Sequence, residues 1–142
     1  MKTVRHILDD KGHEVWCVRP DDTVFESLRR MADKGVGALL VMDGEKLVGI
    51  VTERDYARKV ILEGKSSKTL HVRDVMTTRV LCVTPDRNVD ECMALMTDKR
   101  VRHLPVLDQK RVVGVVSIGD LVKATIGEQQ DLIDQLQHYI SG

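Results

Sequence analysis

The sequence predicts an α/β fold made of two copies of one strand, helix, strand, strand, helix unit. Three observations carry that prediction. Residues 15–55 and 80–120 align without a gap and are identical at 18 of 41 positions, and a duplication of this kind governs the topology before any element is assigned. Within each copy, short β-branched runs give way to an apolar repeat of three and four, then to two further apolar runs separated by a turn. Between the copies lies EGKSSKTL, residues 63–70, a Gly/Ser/Lys-rich stretch that reads as a linker.

Each unit is preceded by a related leader, VRHILDD from Val4 and VRDVMTT from Val72, and their offset of 68 rather than 65 means a three-residue difference in the join. The first strands are VWCV and VLCV, each stopped by a Pro-Asp turn. Helices follow over 21–35 and 86–100, with Val24, Leu28, Met31 and Ala32, then Val89, Met93 and Met96, on the inward face. Thr23 and Asn88 are suited to cap them, and Thr23 with Glu26 fits a capping box. Gly35 suits a C-cap, a place taken by Arg100 in the second copy. The hairpins cover 38–51 and 103–116, turning at Asp43-Gly44 and Asp108-Gln109. Second helices begin at Glu53 and Ile118. The expected division is therefore 1–65, 66–127 and a terminal amphipathic helix over 128–142. That helix has Leu132, Leu136, Tyr139 and Ile140 along one face, to be docked on the core or used for dimerisation. A three-stranded sheet with both helices on one face needs cover on the other, which a second copy supplies by pseudo-twofold packing.

Composition narrows the function classes. The 142 residues are 42% hydrophobic and balance 22 basic against 22 acidic side chains, so nothing here suggests a polyanion-binding surface. One Phe, two Tyr and one Trp offer few stacking platforms for single-stranded nucleic acid. Apolar runs of four or five residues are far too short to span a membrane, and the charged N-terminus does not resemble a secretory signal, so a cytosolic address is expected. Cys17, Cys82 and Cys92 form no CxxC pair and are expected to be small buried hydrophobes. His6, His13, His71 and His138 are dispersed, without metal-site spacing.

The most informative repeated stretch is VTERDYARKV, which returns as VSIGDLVKAT. Thr52 and Ser117 are good N-cap residues, and Asp55 and Asp120 put negative charge in the first helical turn. Capping alone would favour Glu at the third position, whose longer chain reaches back more easily. The other reading is a ligand site beyond Gly49 and Gly114, in which the hydroxyl and nearby N–H groups face an anion and the carboxylate accepts from a ribose diol. Arg54, Arg58 and Lys59 would add positive charge in the first copy, whereas the second has only Lys123. Spacing alone leaves both readings open. HExxH, GxSxG, GxGxxG and GxxxxGK[ST] are all missing, which speaks against an enzyme.

The paired units resemble the cystathionine-β-synthase (CBS) domain family, through KGVGALLVMD and KRVRHLPVLD, LVGIVTERD and VVGVVSIGD, and the leader VRDVMT. The resemblance runs from about Val4 to Gly127. It implies a tandem CBS pair of α/β type, two pseudo-twofold-related units with their sheets packed together and two clefts for adenosine-containing ligands. AMP, ADP, ATP or NAD are the ligands implied, with S-adenosylmethionine ranked behind them. Asp55 and Asp120 would contact ribose beside Thr52 and Ser117. Val36, Gly37 and Ala38, with Val101, Arg102 and His103, would face the base. Val18, Arg19 and Asp21, with Val83, Thr84 and Asp86, would complete the walls. Arg54 and Arg58 would favour phosphate in the first cleft, and Met76 and Thr77 would serve leader packing and capping. The implied function is a non-catalytic, stand-alone regulatory or energy-sensing module; the alternative is a structural module with vestigial clefts. Inosine-monophosphate dehydrogenases contain similar pairs, but their catalytic barrel is not in this chain. The expected partners are the small ligand, a regulated protein and a second copy, in a four-repeat disc joined through Met31, Met93, Met96 and Leu121, with neither nucleic acid nor membrane.

Overall fold

The computed structural model describes residues 2–141. The elements in order are α1 (Val4–Lys11), β1 (Cys17–Val18), α2 (Val24–Lys34), β2 (Ala38–Asp43), β3 (Lys46–Thr52) and α3 (Glu53–Tyr56), which continues as a π-helical turn over Ala57–Ile61. After the linker come α4 (Val72–Val75), α5 (Val89–Lys99), β4 (His103–Asp108), β5 (Arg111–Ser117) and α6 (Ile118–Ser141). They form two compact units that do not follow the order of the repeats. One is Glu14–Leu81, and the other joins the N-terminal residues through His13 to the chain from Cys82 onward. Each leader therefore belongs to the unit that holds the other repeat's strands.

In the Glu14–Leu81 unit the sheet order is β1-β2-β3, with β1 parallel to β2 and β2 antiparallel to β3. Val18, Val24, Met31, Leu39, Val41, Val51, Val60, Val72 and Val75 form its core. Helix α2 starts where expected, because the Thr23 hydroxyl accepts the Glu26 N–H at 3.1 Å, a cap worth about 1 kcal/mol. It ends at Gly35, whose left-handed φ of 65° a side chain would resist. Two details of its inward face differ from expectation. Ala32 is exposed, while Ser27 is fully buried and satisfies its hydroxyl on the Val24 carbonyl at 2.7 Å.

The other unit repeats the plan with one strand fewer. Asn88 caps α5 by accepting the Glu91 N–H at 2.8 Å, and Arg100 adopts the left-handed conformation that Gly35 has in the first copy. Strands β4 and β5 form an antiparallel pair whose two-residue turn, Gln109-Lys110, has positive φ at both positions. The strand expected at VLCV is reduced to a single parallel bridge between Val83 and Val106. A proline explains the loss. In the first copy the Leu40 N–H donates to the Trp16 carbonyl at 3.1 Å, but the residue corresponding to Leu40 is Pro105, which has no N–H to complete the ladder.

Other expectations are corrected by burial. The terminal residues do not begin a helix of their own at Glu128: α6 runs unbroken over Ile118–Ser141, its side chains from Gln129 to Ile140 are exposed, and Gly142 lies outside the described residues. Met31, Met96 and Leu121, expected at a dimer surface, are buried, and Met93 is half-buried. Cys92 is buried but Cys17 and Cys82 only partly so; none of the three is in a disulfide, and desolvation pushes their thiol pKa values up, away from the reactive thiolate.

The leaders are seated by backbone hydrogen bonds and by two glycines. Val4 and Arg5 donate to the carbonyls of Arg87 and Pro85, both at 2.9 Å, and Val72 and Arg73 donate to those of Asp22 and Pro20 at 2.7 and 3.1 Å. Further along, Thr77 exchanges two backbone hydrogen bonds with Ile50 at 2.9 and 3.0 Å. A Cβ at Gly49 would lie 2.7 Å from Met76 Sδ and 3.0 Å from the Thr77 carbonyl oxygen, and one at Gly114 would lie 2.6 Å from Leu8 Cδ2. Because the Thr77 backbone is fixed by its pairing, we predict that Gly49→Ala destabilises the protein by about 1–3 kcal/mol. An unchanged urea midpoint would contradict this account of the glycine.

Candidate functional site

The antiparallel register sets the entrance of β2 beside the exit of β3, with Ala38 opposite Thr52. The Glu53 N–H donates to the Gly37 carbonyl at 3.1 Å, joining this strand entrance to the first turn of α3. There the backbone folds Asp55 back on Thr52. The Thr52 N–H and hydroxyl reach Asp55 Oδ2 at 3.0 and 3.1 Å, while the Asp55 N–H donates to the Thr52 hydroxyl at 3.1 Å. Aspartate is thus long enough to close the reciprocal cap. Its other oxygen, Oδ1, meets Lys59 Nζ at 3.1 Å and the Thr77 hydroxyl at 3.4 Å. Lys59, grouped by sequence with the phosphate-facing cations, is committed to Asp55 and to the Val75 carbonyl at 2.8 Å. Arg54 and Arg58 lie exposed on the same helical segment.

The second copy repeats this geometry with different flanking chemistry. His103 is opposite Ser117, and the Ile118 N–H donates to the Arg102 carbonyl at 2.9 Å. Asp120 Oδ2 accepts the Ser117 N–H at 2.8 Å, and the Asp120 N–H donates to the Ser117 hydroxyl at 3.2 Å. The same Oδ2 forms a 2.7 Å ion pair with Lys11, which also donates to the Val115 carbonyl at 2.9 Å. Just beyond α1, the His13 imidazole meets the Val113 carbonyl at 2.8 Å. Burial by itself raises the Asp120 pKa, but the hydrogen bond from Lys11, the Ser117 N–H and the Lys11 charge outweigh it and hold the carboxyl below its usual range.

The structure gathers Val36, Gly37, Ala38, Thr52 and Asp55 in one unit and Val101, Arg102, His103, Ser117 and Asp120 in the other. Within each unit the expected wall residues lie apart from these sets. Cys17 pairs with Leu40 and Val18 with Val41, so the chain leaves β1 toward the Asp43 turn, about 10 Å along the sheet from Ala38 at ~3.3 Å per residue. Val18 and Val83 are themselves buried. Asp21 pairs with Arg73 of α4, Thr84 donates to Asp86, and Pro20 and Pro85 accept from the leaders. These residues anchor leader helices at the opposite end of the sheet. In their place the leaders contribute Thr77 and Lys11, the latter 109 residues from its aspartate in sequence. Nothing local in the sequence signals either contact.

Among the described residues no group of three His, Cys, Asp or Glu side chains is arranged to hold a metal ion, and no helix is long and apolar enough to cross a membrane. The CBS domain family profile matches residues 4–62 and 72–127. The chain belongs to the CBS domain family. It is 41% identical over 150 aligned positions to the CBS domain-containing protein CBSX3, mitochondrial, of Arabidopsis thaliana, covering 99% of this chain and 72% of that protein. It is 38% identical over 112 positions to the inosine-5'-monophosphate dehydrogenase of Methanocaldococcus jannaschii, covering 78% of this chain but only 21% of the enzyme. A solved CBS-domain protein from Burkholderia ambifaria superposes with a TM-score of 0.87 at 52% identity, covering 90% of this chain and 96% of that one. The CBS domain pair of protein MJ0100, crystallised with 5'-methylthioadenosine and S-adenosyl-L-methionine, superposes at 0.77 with 25% identity, covering 90% and 98%.

In both CBS repeats a carboxylate is held at a strand-to-helix junction by a backbone N–H and a hydroxyl, and an ionised carboxylate so held is an acceptor for vicinal hydroxyl donors. In the second repeat Lys11 helps to hold that carboxyl below its usual range. Since the folded pKa of Asp120 is lowered, its stabilising contribution is present above the ordinary carboxylate pKa of about 3.9 and is lost as pH falls through the lowered value. We predict that Lys11→Met moves the Asp120 carboxyl titration, followed by carbon-detected NMR, to higher pH. The stability difference from wild type should then be present at neutral pH and close on acidification. An Asp120 titration that does not move would rule out Lys11 as a cause of its lowered pKa.

Proposed function

We propose that this CBS pair is a non-catalytic module that binds adenine nucleotides, AMP, ADP, ATP or NAD, and regulates a partner protein through their occupancy. The observation that carries this reading is the repeated carboxylate geometry: Asp55 and Asp120 are each oriented by the residue three positions before, beside the entrance of a neighbouring strand. In the proposed complex the ribose diol donates to these carboxylates. Gly37 and Ala38, or Arg102 and His103, border the base, and Arg54 and Arg58 strengthen phosphate binding in the first repeat. The adenosine-containing ligands named for the MJ0100 pair support the chemical class. A cytosolic address stays part of the proposal, although the Arabidopsis relative carries a mitochondrial name.

The ion pairs favour a second reading, a structural module whose carboxylates are neutralised by its own lysines, Lys59 at 3.1 Å and Lys11 at 2.7 Å. Thermal shift separates the two. A nucleotide at 100 times its dissociation constant stabilises the folded state by about 2.7 kcal/mol, so AMP, ATP or NAD should raise the melting temperature, and Asp55→Ala with Asp120→Ala should abolish the rise. No shift with any adenosine ligand would sink the nucleotide reading. Phosphate recognition is tested independently by Arg54→Ala, which should weaken AMP more than adenosine. Equal losses would mean that the guanidinium does not read phosphate.

A further inference from the structure

The two repeated carboxylates differ in what they still offer. Both oxygens of Asp55 are engaged within the chain, Oδ2 by the Thr52 N–H and hydroxyl and Oδ1 by Lys59 and the Thr77 hydroxyl, and its side chain is only 12% exposed. The hydrogen bonds to the Asp120 carboxylate, from the Ser117 N–H and from Lys11, both end on Oδ2, and its side chain is 23% exposed. Lys11 is itself 38% exposed. Of the three N–H donors of an ammonium, that of Lys11 gives one to Asp120 Oδ2 and one to the Val115 carbonyl. The pair therefore sets an acceptor, Oδ1, beside a third N–H donor where solvent reaches both side chains. Lys11 stands there because it is the last residue of α1, which packs on β5 and α6 with Leu8 against Gly114. In the other leader its place is taken by Arg79, which is exposed, and that leader meets Asp55 through the Thr77 hydroxyl instead.

We propose that Lys11 is a specificity-determining residue of the second repeat's nucleotide site, where it reads a ribose hydroxyl as an acceptor while Asp120 reads the diol as a donor. The proposal rests on the ribose reading of Asp120 given above. A hydroxyl is donor and acceptor at once. One hydroxyl of the vicinal pair donates to Oδ1, and its neighbour donates to Oδ2 and accepts the third Lys11 N–H. A carboxylate alone accepts any O–H or N–H that reaches it; an ammonium beside it demands an oxygen lone pair as well. Both contacts are charge-assisted and so stronger than bonds between neutral groups. A sugar lacking that hydroxyl leaves the ammonium donor desolvated without a partner, and a site built to hydrogen-bond a hydroxyl rejects the analogue that lacks it far better than an apolar pocket rejects a missing methylene. The ligand selected is a ribonucleotide with its 2′ and 3′ hydroxyls intact, over either deoxy counterpart. Lys59 beside Asp55 also has a third N–H, but there both carboxylate oxygens already hold two donors each.

Calorimetric titration of the full chain carrying Asp55→Ala, which leaves the second repeat to report, tests the proposal with AMP, 2′-deoxy-AMP and 3′-deoxy-AMP. AMP should bind more tightly than one of the two analogues by about tenfold or more, as expected for a hydrogen bond to a charged group. Adding Lys11→Met should remove that preference, whereas any general attraction of the lysine for phosphate is lost equally by all three ligands and leaves the ratio unchanged. A preference that survives Lys11→Met, or AMP binding with no preference to remove, would overturn the role of Lys11 without touching nucleotide binding itself. Failure of the native chain to bind AMP would overturn the nucleotide reading and this proposal with it. If either variant does not fold, the Lys11 Cε resonance of the native chain carries the test. At saturation it should move farther with AMP than with one of the deoxy analogues, and equal movement with all three would overturn the assignment.

Discussion

The organising constraint is the approach of each leader to a strand at a residue that has no side chain. Gly49 and Gly114 occupy matching places in the two hairpins, and a methyl group at either would fall inside contact distance of a leader atom. With hydrogen added in place of a methyl group, Met76 and Leu8 can settle against the sheet, and the Thr77 backbone can pair with Ile50. Close packing of this kind tolerates little added volume. The exchange of leaders between repeats depends on it, since the leader of one repeat has to fit the strand of the other as closely as a core residue would.

That exchange shapes the candidate sites. The leader anchored at Pro85 and Arg87 ends by bringing Lys11 to Asp120, and the one anchored at Pro20 and Asp22 brings Thr77 to Asp55. The two carboxylates share their caps but not their counter-groups. Asp120 meets a lysine from the leader, whereas Asp55 meets a lysine one helical turn onward and a leader hydroxyl. In the proposed complex a ribose diol must donate to oxygens already accepting from these groups. A carboxylate oxygen has room for more than one donor, so a diol can donate to oxygens that already accept from an ammonium.

Local rules captured much of this molecule. Thr23 and Asn88 cap the helices they precede, Gly35 ends one, and the hairpins turn where Asp43-Gly44 and Asp108-Gln109 foretold. Thr52, Ser117 and their aspartates are legible for the same reason, because a cap is decided within four residues. What was not legible depends on partners distant in the chain. The missing strand at VLCV is traceable only once Pro105 is seen to face it, and Lys11 and Thr77 have no sequence neighbour that signals their targets. Where the residues leaving the first strand lie on the sheet follows from the parallel register Cys17 to Leu40, which spacing alone does not specify. Amphipathic spacing identified an apolar face on the terminal segment, yet periodicity cannot tell a covered stripe from an exposed one.

The central functional claim is that Asp55 and Asp120 are ribose acceptors. A crystal structure of the chain grown with AMP tests it most directly. The account predicts ribose hydroxyl oxygens within hydrogen-bond distance of one or both carboxylates, with the Thr52 and Ser117 caps intact. AMP bound with its ribose away from both aspartates, or crystals that exclude it from both positions at saturating concentration, would contradict the claim.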